Sequence, residues 1–485
     1  MKRAAILTAV LLFLSTPGVA QPASGSGVKL SPCEVPGAEP NKKDSVLCGK
    51  FEVFEDREQR TGRKITINIV VYPATGPEKD PDPIFYIPGG PGSSATEDAP
   101  YVALDLAKLR PRRDLVFVDQ RGTGGSNLLY CELFDPKNIS SYLEHWNPPA
   151  AVNACRAELE KKADLKLYVT SIAMDDLDDV RKALGYGKIN LSGGSYGTRA
   201  VMAYVKQHPS SVRSVLLHGV STFDQFMPRD FPQHTQRALD GVLDECLANA
   251  ECRTAFPEVR KNERTVLATL KKGPVEVDVT VDEKPLKVKL SRDLAAEAIR
   301  YMLYSSGAAS RIPLILDAAS KGNFKPLAEA AILYRRLIVA TGATGLYLSI
   351  TCAEDLPFVK PNEGLDADDT FLGSYRLRQQ REACAGWPRS EIRKDYAKLV
   401  RSDVPALIYS GQWDPVTPPE YGDRVSKNLP NSLHIVVPGG GHGFGGLEGL
   451  ECLDSLTARF IEAGTAKGLD SSCVKSIRRK GFQLK

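Results

Sequence analysis

The stretch KINLSGGSYGTRAVMAYVKQHP (188–209) sets Ser195 between Gly193 and Gly197, where a short apolar run gives way to a helical one. A serine that attacks a carbonyl must project from a sharp turn, and glycines two residues to either side remove the Cβ atoms that would clash there. The helix opening at Tyr196 also aims its first, unpaired amides at that serine. The alternative for such a stretch is a Gly/Ser turn that merely starts a helix. A serine hydroxyl is a weak nucleophile without a base, so a histidine must reach it. Of six histidines, His208 precedes a proline at a helix end, His218 and His434 lie inside apolar strands, and His145 and His234 fall in loop or helical text. His442 alone sits in a glycine-rich loop, PGGGHGFGG, directly after a late strand.

A third group, an acid, must fix the imidazole tautomer and stabilise the imidazolium. Asp414 ends the strand PALIYSGQW and is followed by PVTPP, which forces the chain out of regular structure. It precedes His442 by 28 residues, room for one helix and one strand. Asp403, at the other end of the same strand, competes with it. Ligand sites in parallel sheets gather at strand carboxyl ends, which favours Asp414. The order Ser, Asp, His is that of α/β-hydrolases. A tetrahedral intermediate also needs donors for its oxyanion: the N–H of Tyr196, and one from a loop after an early strand. PGGPGSS (88–94) suits that loop through Gly90, although the same cluster also suits an ordinary turn.

The elements that must position these residues follow from periodicity. ITINIVVYPA (65–74) alternates like an antiparallel strand, and DPIFYIPGG (82–90) and RDLVFVDQRG (113–122) read as buried strands ending in glycine. TSIAMDDLDDVRKALG (170–185) reads as a helix capped by Thr170 or Ser171 and stopped by Gly185. KINLSGG and VRSVLLHGV (212–220) are further strands, separated by the helix from Tyr196. Alternating strands and helices imply a mostly parallel sheet covered on both faces. From about Thr222 to Pro388 the text turns mainly helical, with one hairpin at VEVDVTVDEKPLKVKLS (275–291), and the alternation resumes at VPALIYSGQWDPVTP and SLHIVVPGGGHGF. The economical organisation is a core over 21–222, a cap over 223–388 inserted into its sheet, and a second part of the core over 389–485.

The first residues, MKRAAILTAVLLFLSTPGVA, read as a secretory signal over 1–20, with an apolar core too short to span a bilayer. No Cys follows at 21, so a lipid anchor is not expected, and no later run approaches the ~20 apolar residues of a membrane helix. The formal net charge is only +4, and the leader takes Lys2 and Arg3 with it, which argues against nucleic acid or an anionic membrane as partner. All ten cysteines lie beyond the leader. An even count in an oxidising compartment points to disulfides between neighbours, first Cys246 with Cys252 and Cys452 with Cys473. None has CxxC spacing, so neither a metal nor thiol catalysis is expected.

Taken together, GGPG after the first core strand, DQRGTGGS (119–126), GGSYG, SGQWDPVTP and GGGHG resemble the prolyl-aminopeptidase and tripeptidyl-aminopeptidase group of secreted α/β-hydrolases. The large insert and the cysteine-bearing C-terminal segment resemble the tripeptidyl branch more. The resemblance implies an α/β-hydrolase fold, a mostly parallel sheet with helices on both faces and a large, mainly helical cap. It implies Ser195, Asp414 and His442 as the triad, Gly90 and Tyr196 as oxyanion donors, and Asp119 and Arg121 as organisers of the loop beneath the site. Pro88 departs from the group, which often has His there, as does His218 where an acid is common.

An aminopeptidase must hold a free N-terminal ammonium with buried carboxylates. Glu354 and Asp355 in TCAEDLP, anchored by a bridge from Cys352 to Cys384, are the first candidates, and Glu97 and Asp98 the second. The expectation is an exported serine aminopeptidase, periplasmic or extracellular, that needs no cofactor and acts on peptides. A secreted carboxylesterase acting on small esters is the alternative, and a silent binding protein on the same fold a more distant one. Activity is expected to rise through the ~6.5 region, where a free imidazole loses its proton.

Overall fold

The computed structural model describes residues 27–37, 46–143, 145–340, 342–393 and 395–485. The leader expected over 1–20 lies outside the described residues. The chain opens on two strands that none of the quoted runs marks, β1 (Ser31–Pro32) and β2 (Leu47–Phe54), and the apolar runs then become β3 (Lys64–Tyr72), β4 (Ile84–Ile87), β5 (Leu115–Val118), β6 (Ile189–Gly194) and β7 (Val212–His218). The insert carries the expected hairpin, β8 (Val275–Val281) and β9 (Lys284–Leu290), and the chain returns with β10 (Ala406–Gly411) and β11 (Ser432–Val437). Apart from the hairpin, these strands form one sheet in the order β1-β2-β3-β5-β4-β6-β7-β10-β11. Strands β1 to β3 pair antiparallel, as does β3 with β5, and every neighbour from β5 to β11 is parallel. β5 and β10 are buried at every position, as strands covered on both faces must be.

Successive residues of the central strands enter different cores, the period of two made visible. Ile69, Val71, Phe85, Val215, Leu217 and Ile408 pack on one face, where helices α2 (Pro149–Leu159), α3 (Thr170–Ala183) and α4 (Tyr196–Gln207) lie. Val70, Tyr72, Ile84, Leu216 and Leu407 pack on the other, under α1 (Ala95–Asp105) and the helix Glu451–Ala463. A third apolar cluster fills the insert, from α5 (Phe231–Ala248), the hairpin and the helices Arg292–Met302, Ile312–Ser320 and Lys325–Ala340. The last part of the insert divides: Leu346, Leu348 and Cys352 pack with the sheet, and Phe371 and Tyr375 with the insert's own cluster.

Helix α3 begins as expected, but neither Thr170 nor Ser171 caps it. Its N-cap is Val169, without a side-chain cap bond. The distant Glu354 does the work instead, accepting from Thr170 N and Oγ1, both at 2.7 Å. A carboxylate at a helix N-terminus answers both the unpaired amides and the dipole. All ten cysteines are paired, each with its neighbour in sequence: 33–48, 131–155, 246–252, 352–384 and 452–473. Among the described residues no single helix is long and apolar enough to cross a membrane.

Candidate active site

Ser195 sits on the turn between β6 and α4 with φ 55° and ψ −127°. A non-glycine residue in that region costs about 1–3 kcal/mol and persists only where its surroundings impose it. Here the Ser195 amide donates to His218 O at 2.8 Å, while its carbonyl accepts from Thr198 N at 2.9 Å and Thr198 Oγ1 at 2.7 Å. The flanking glycines are sterically required: a Cβ on Gly193 would lie 2.6 Å from the Gly197 carbonyl oxygen, and one on Gly197 would strike the Ile87 carbonyl. The helix that follows is buried from Tyr196 to Val205, so the turn is anchored to a fully packed element.

Asp414 and His442 follow the carboxyl ends of β10 and β11, on the same side of the sheet as Ser195. His442 Nδ1 lies 2.8 Å from Asp414 Oδ2. Asp414 is fully buried, and its carboxylate also accepts from Val416 N and Thr417 N at 2.8 Å and Thr417 Oγ1 at 2.7 Å. Burial alone would raise its pKa; the His442 imidazole and the Thr417 donors outweigh it and bring the carboxyl down to about 2. Asp403 is exposed before β10, at the opposite edge, and is no partner for this imidazole. The insert holds the histidine loop: Gly443 N donates to Tyr304 O at 2.6 Å, Gly307 N to Gly445 O at 3.0 Å, and the Tyr304 and His442 rings are 4.9 Å apart. His218 ends β7 stacked on Phe444 at 4.3 Å, and burial lowers its pKa to about 4.

The loop after β4 approaches the serine so closely that a Cβ on Gly89 would lie 3.0 Å from that of Ser195. Gly90 lines the same cavity as Ser195 and His442, and the N–H of Tyr196 opens α4 beneath them. Asp119 braces this loop, accepting from Ser94 Oγ and Thr96 N on one oxygen and from Asn68 Nδ2, Thr96 Oγ1 and Gly125 N on the other, all within 3.0 Å. Arg121 is buried behind it, with Nε and Nη2 on Asp176 at 2.7 and 3.0 Å. Both act as the structural residues expected of them.

Ser195 and His442 face a cavity of about 350 Å³ between the sheet and the insert. Glu354 and Asp355, the expected ammonium ligands, do not line it. They lie on a π-helical turn, Thr351–Asp355, and are buried away from it. Glu354 caps α3 and accepts from the Tyr396 hydroxyl, and Asp355 pairs with buried Arg199 at 2.8 Å. Glu97 and Asp98 are also absent from the lining. The wall is instead aromatic and cationic, with Trp146, Tyr301, Tyr304, Arg300 and Arg376. Sequence reasoning missed these arginines because helical Arg in RDLAAEAIRYM and YRLRQQREACA reads as a solvated face. The one available signal was Glu297, Arg300 and Tyr304 at helical spacing on a stripe that also carries apolar residues. Thr417 was equally legible, three residues after Asp414 in the quoted motif. Among the described residues no group of three or more His, Cys, Asp or Glu could hold a metal ion.

The sheet order, the serine turn and the buried Asp–His pair define an α/β hydrolase. The family description "alpha/beta hydrolase fold" matches residues 82–255, and "TAP-like protein" matches residues 369–473. The chain is 25% identical to serine protease Hip1 of Mycobacterium tuberculosis over 94% of its own length and 92% of the relative's. It is 23% identical to tripeptidyl aminopeptidase of Streptomyces lividans over 93% and 87%. A proline iminopeptidase of Neisseria gonorrhoeae is 27% identical over 28% of this chain and 32% of its own. These similarities group the chain with the serine peptidases of the α/β-hydrolase type.

Proposed function

We propose that this chain is an exported serine exopeptidase that releases short peptides, three residues long in the first instance, or single residues such as proline, from peptide N-termini. Ser195 Oγ attacks the scissile carbonyl. His442 Nε2 takes the serine proton and returns it to the leaving amine, while Asp414 holds the proton on Nδ1 and stabilises the imidazolium. The amides of Tyr196 and Gly90 receive the oxyanion. Water, activated by the same imidazole, then releases the acyl group. The insert over 223–388 acts as the cap that closes one end of the cleft. The observation that carries this reading is the Asp414–His442 bond of 2.8 Å beside a strained serine on one cavity wall. The names of the long-range relatives support peptide as the substrate class, and five disulfides support export.

One observation favours the second reading, a carboxylesterase: among the described residues, none that lines the cavity is a carboxylate that could meet a substrate ammonium. A panel of one-, two- and three-residue amides, each free and N-acetylated, set beside short aryl esters, separates the two. The aminopeptidase reading expects the free tripeptide amide to be cut fastest. It fails if N-acetylation leaves the rate unchanged or if only esters are cut.

A further inference from the structure

Among the described residues, the charged side chains that line the cavity beside Ser195 are two buried guanidinium groups, Arg300 and Arg376, with no carboxylate. Arg300 is well paired, with Nε and Nη2 on Glu297 Oε2 at 3.0 and 2.8 Å and Nη1 on the Tyr304 hydroxyl at 2.8 Å. Arg376 is not. Its Nε faces Glu297 Oε1 at 3.3 Å without hydrogen-bond geometry, its Nη2 reaches the Tyr347 hydroxyl only at 3.5 Å, and its Nη1 is buried with no hydrogen-bond partner.

One carboxylate therefore serves two guanidinium groups, and a third stands close by. Arg376 and Arg335 both lie over the Trp146 ring, at 4.0 and 4.1 Å. Burial, with Arg376 adding its repulsion, brings Arg335 down to about 10. Stacking on an indole fixes the guanidinium plane but satisfies none of its N–H donors. A buried charged donor left unmade is costly, and a guanidinium cannot shed its charge to escape. The partner that fits a planar fork is a planar pair of oxygens. Since the Tyr304 ring touches His442 and its hydroxyl accepts from Arg300, the cationic wall continues directly from the catalytic base.

We propose that Arg376, backed by Arg300, is a recognition site for a carboxylate of the substrate, so that the enzyme selects substrates bearing an anionic group in the part that fills this cavity. This rests on the reading of Ser195 as nucleophile and deepens it by naming a substrate class. Two sources supply the carboxylate, an acidic side chain and a peptide C-terminus.

Calorimetric titration of the full chain carrying Ser195→Ala, which binds without turnover, tests it with matched tripeptides. The first arm compares glutamyl with glutaminyl at each position of amidated peptides. The second compares a free C-terminus with an amide in a neutral peptide. In one arm the carboxylate member is expected to bind about 10- to 100-fold tighter, and the preference should fall to near parity in Ser195→Ala/Arg376→Gln. Equal affinity of the paired peptides in both arms overturns the proposal, as does no binding at millimolar concentration, or a preference undiminished in a folded Arg376 variant. The wild-type pairs decide the matter even if the Arg376 variant does not fold. Cleavage of the same peptides by the unsubstituted enzyme reports separately on the peptidase reading.

Discussion

Asp414→Asn isolates the group that, in the proposed mechanism, makes His442 a base. The asparagine keeps one oxygen for the amides of Val416 and Thr417. Its NH2 takes the place of the oxygen that receives the Thr417 hydroxyl and His442 Nδ1, 2.7 and 2.8 Å away. A donor then faces a donor, and the imidazole relaxes to the tautomer protonated on Nε2, which cannot accept from Ser195. In the resting protein, burial opposes ionisation of Asp414, yet His442 and Thr417 bring its pKa to about 2. Against an ordinary carboxyl this favours the anion by about 2.5 kcal/mol. That preference already includes the pairing with His442, so the expected loss, which combines the missing charge with the wrong imidazole tautomer, is taken from the same substitution in other Ser-His-Asp triads, on the order of ten-thousandfold in rate. The assay is the second-order rate of fluorophosphonate labelling at Ser195, which does not depend on knowing the substrate, with circular dichroism to show that the variant is folded. Asp403→Asn serves as the control and should label at the wild-type rate. A folded Asp414→Asn that labels within tenfold of wild type, or a comparable loss in Asp403→Asn, refutes the reasoning.

Three further outcomes are expected. Asp119→Ala strips the acceptor from five donors around the loop after β4, so it should lose about 3 kcal/mol or more in urea unfolding and slow Ser195 labelling; wild-type values in both would contradict the bracing role. His218, brought to about 4 by burial, binds fewer protons folded than unfolded between pH ~6.5 and 4. Stability is therefore lost as pH falls through that window, by at most about 3 kcal/mol, and His218→Phe should flatten the dependence of the urea midpoint on pH there, whereas an unchanged slope would count against it. Glu354→Gln should lower thermal stability while leaving the rate ratio of free to N-acetylated peptides within about twofold, because the carboxylate caps α3 and does not line the cavity; loss of that discrimination would return Glu354 to the site.

Much of the candidate site's local geometry was legible because it depends on short-range contacts. A serine between two glycines at a strand–helix junction specifies its own turn, and the clashes of Gly193 and Gly197 with backbone carbonyls show why no other residue serves there. Strand positions were legible through apolar runs ended by glycine or proline, and the nearest-neighbour disulfides through cysteine spacing. The choice between Asp414 and Asp403 needed only the rule that such sheets place their sites at strand carboxyl ends. The cap of α3 was misread because the best acceptor for its first amide lies 184 residues away.

What the sequence by itself determined was thus the order of elements and the residues that act through their immediate neighbours along the chain. The tertiary structure alone decided which groups face the cavity. Periodicity marks a face as buried but does not name what it is buried against. Glu354 and Asp355 were recognisable as acids inside the insert, yet only the packing of Thr351–Asp355 against α3 and α4 kept them out of the cavity lining. Arg300 and Arg376 read as ordinary helical charges until two helices, 76 residues apart at those positions, shared a single Glu297 and left Nε and Nη1 of Arg376 without hydrogen-bond partners in a residue that lines the same cavity as Ser195.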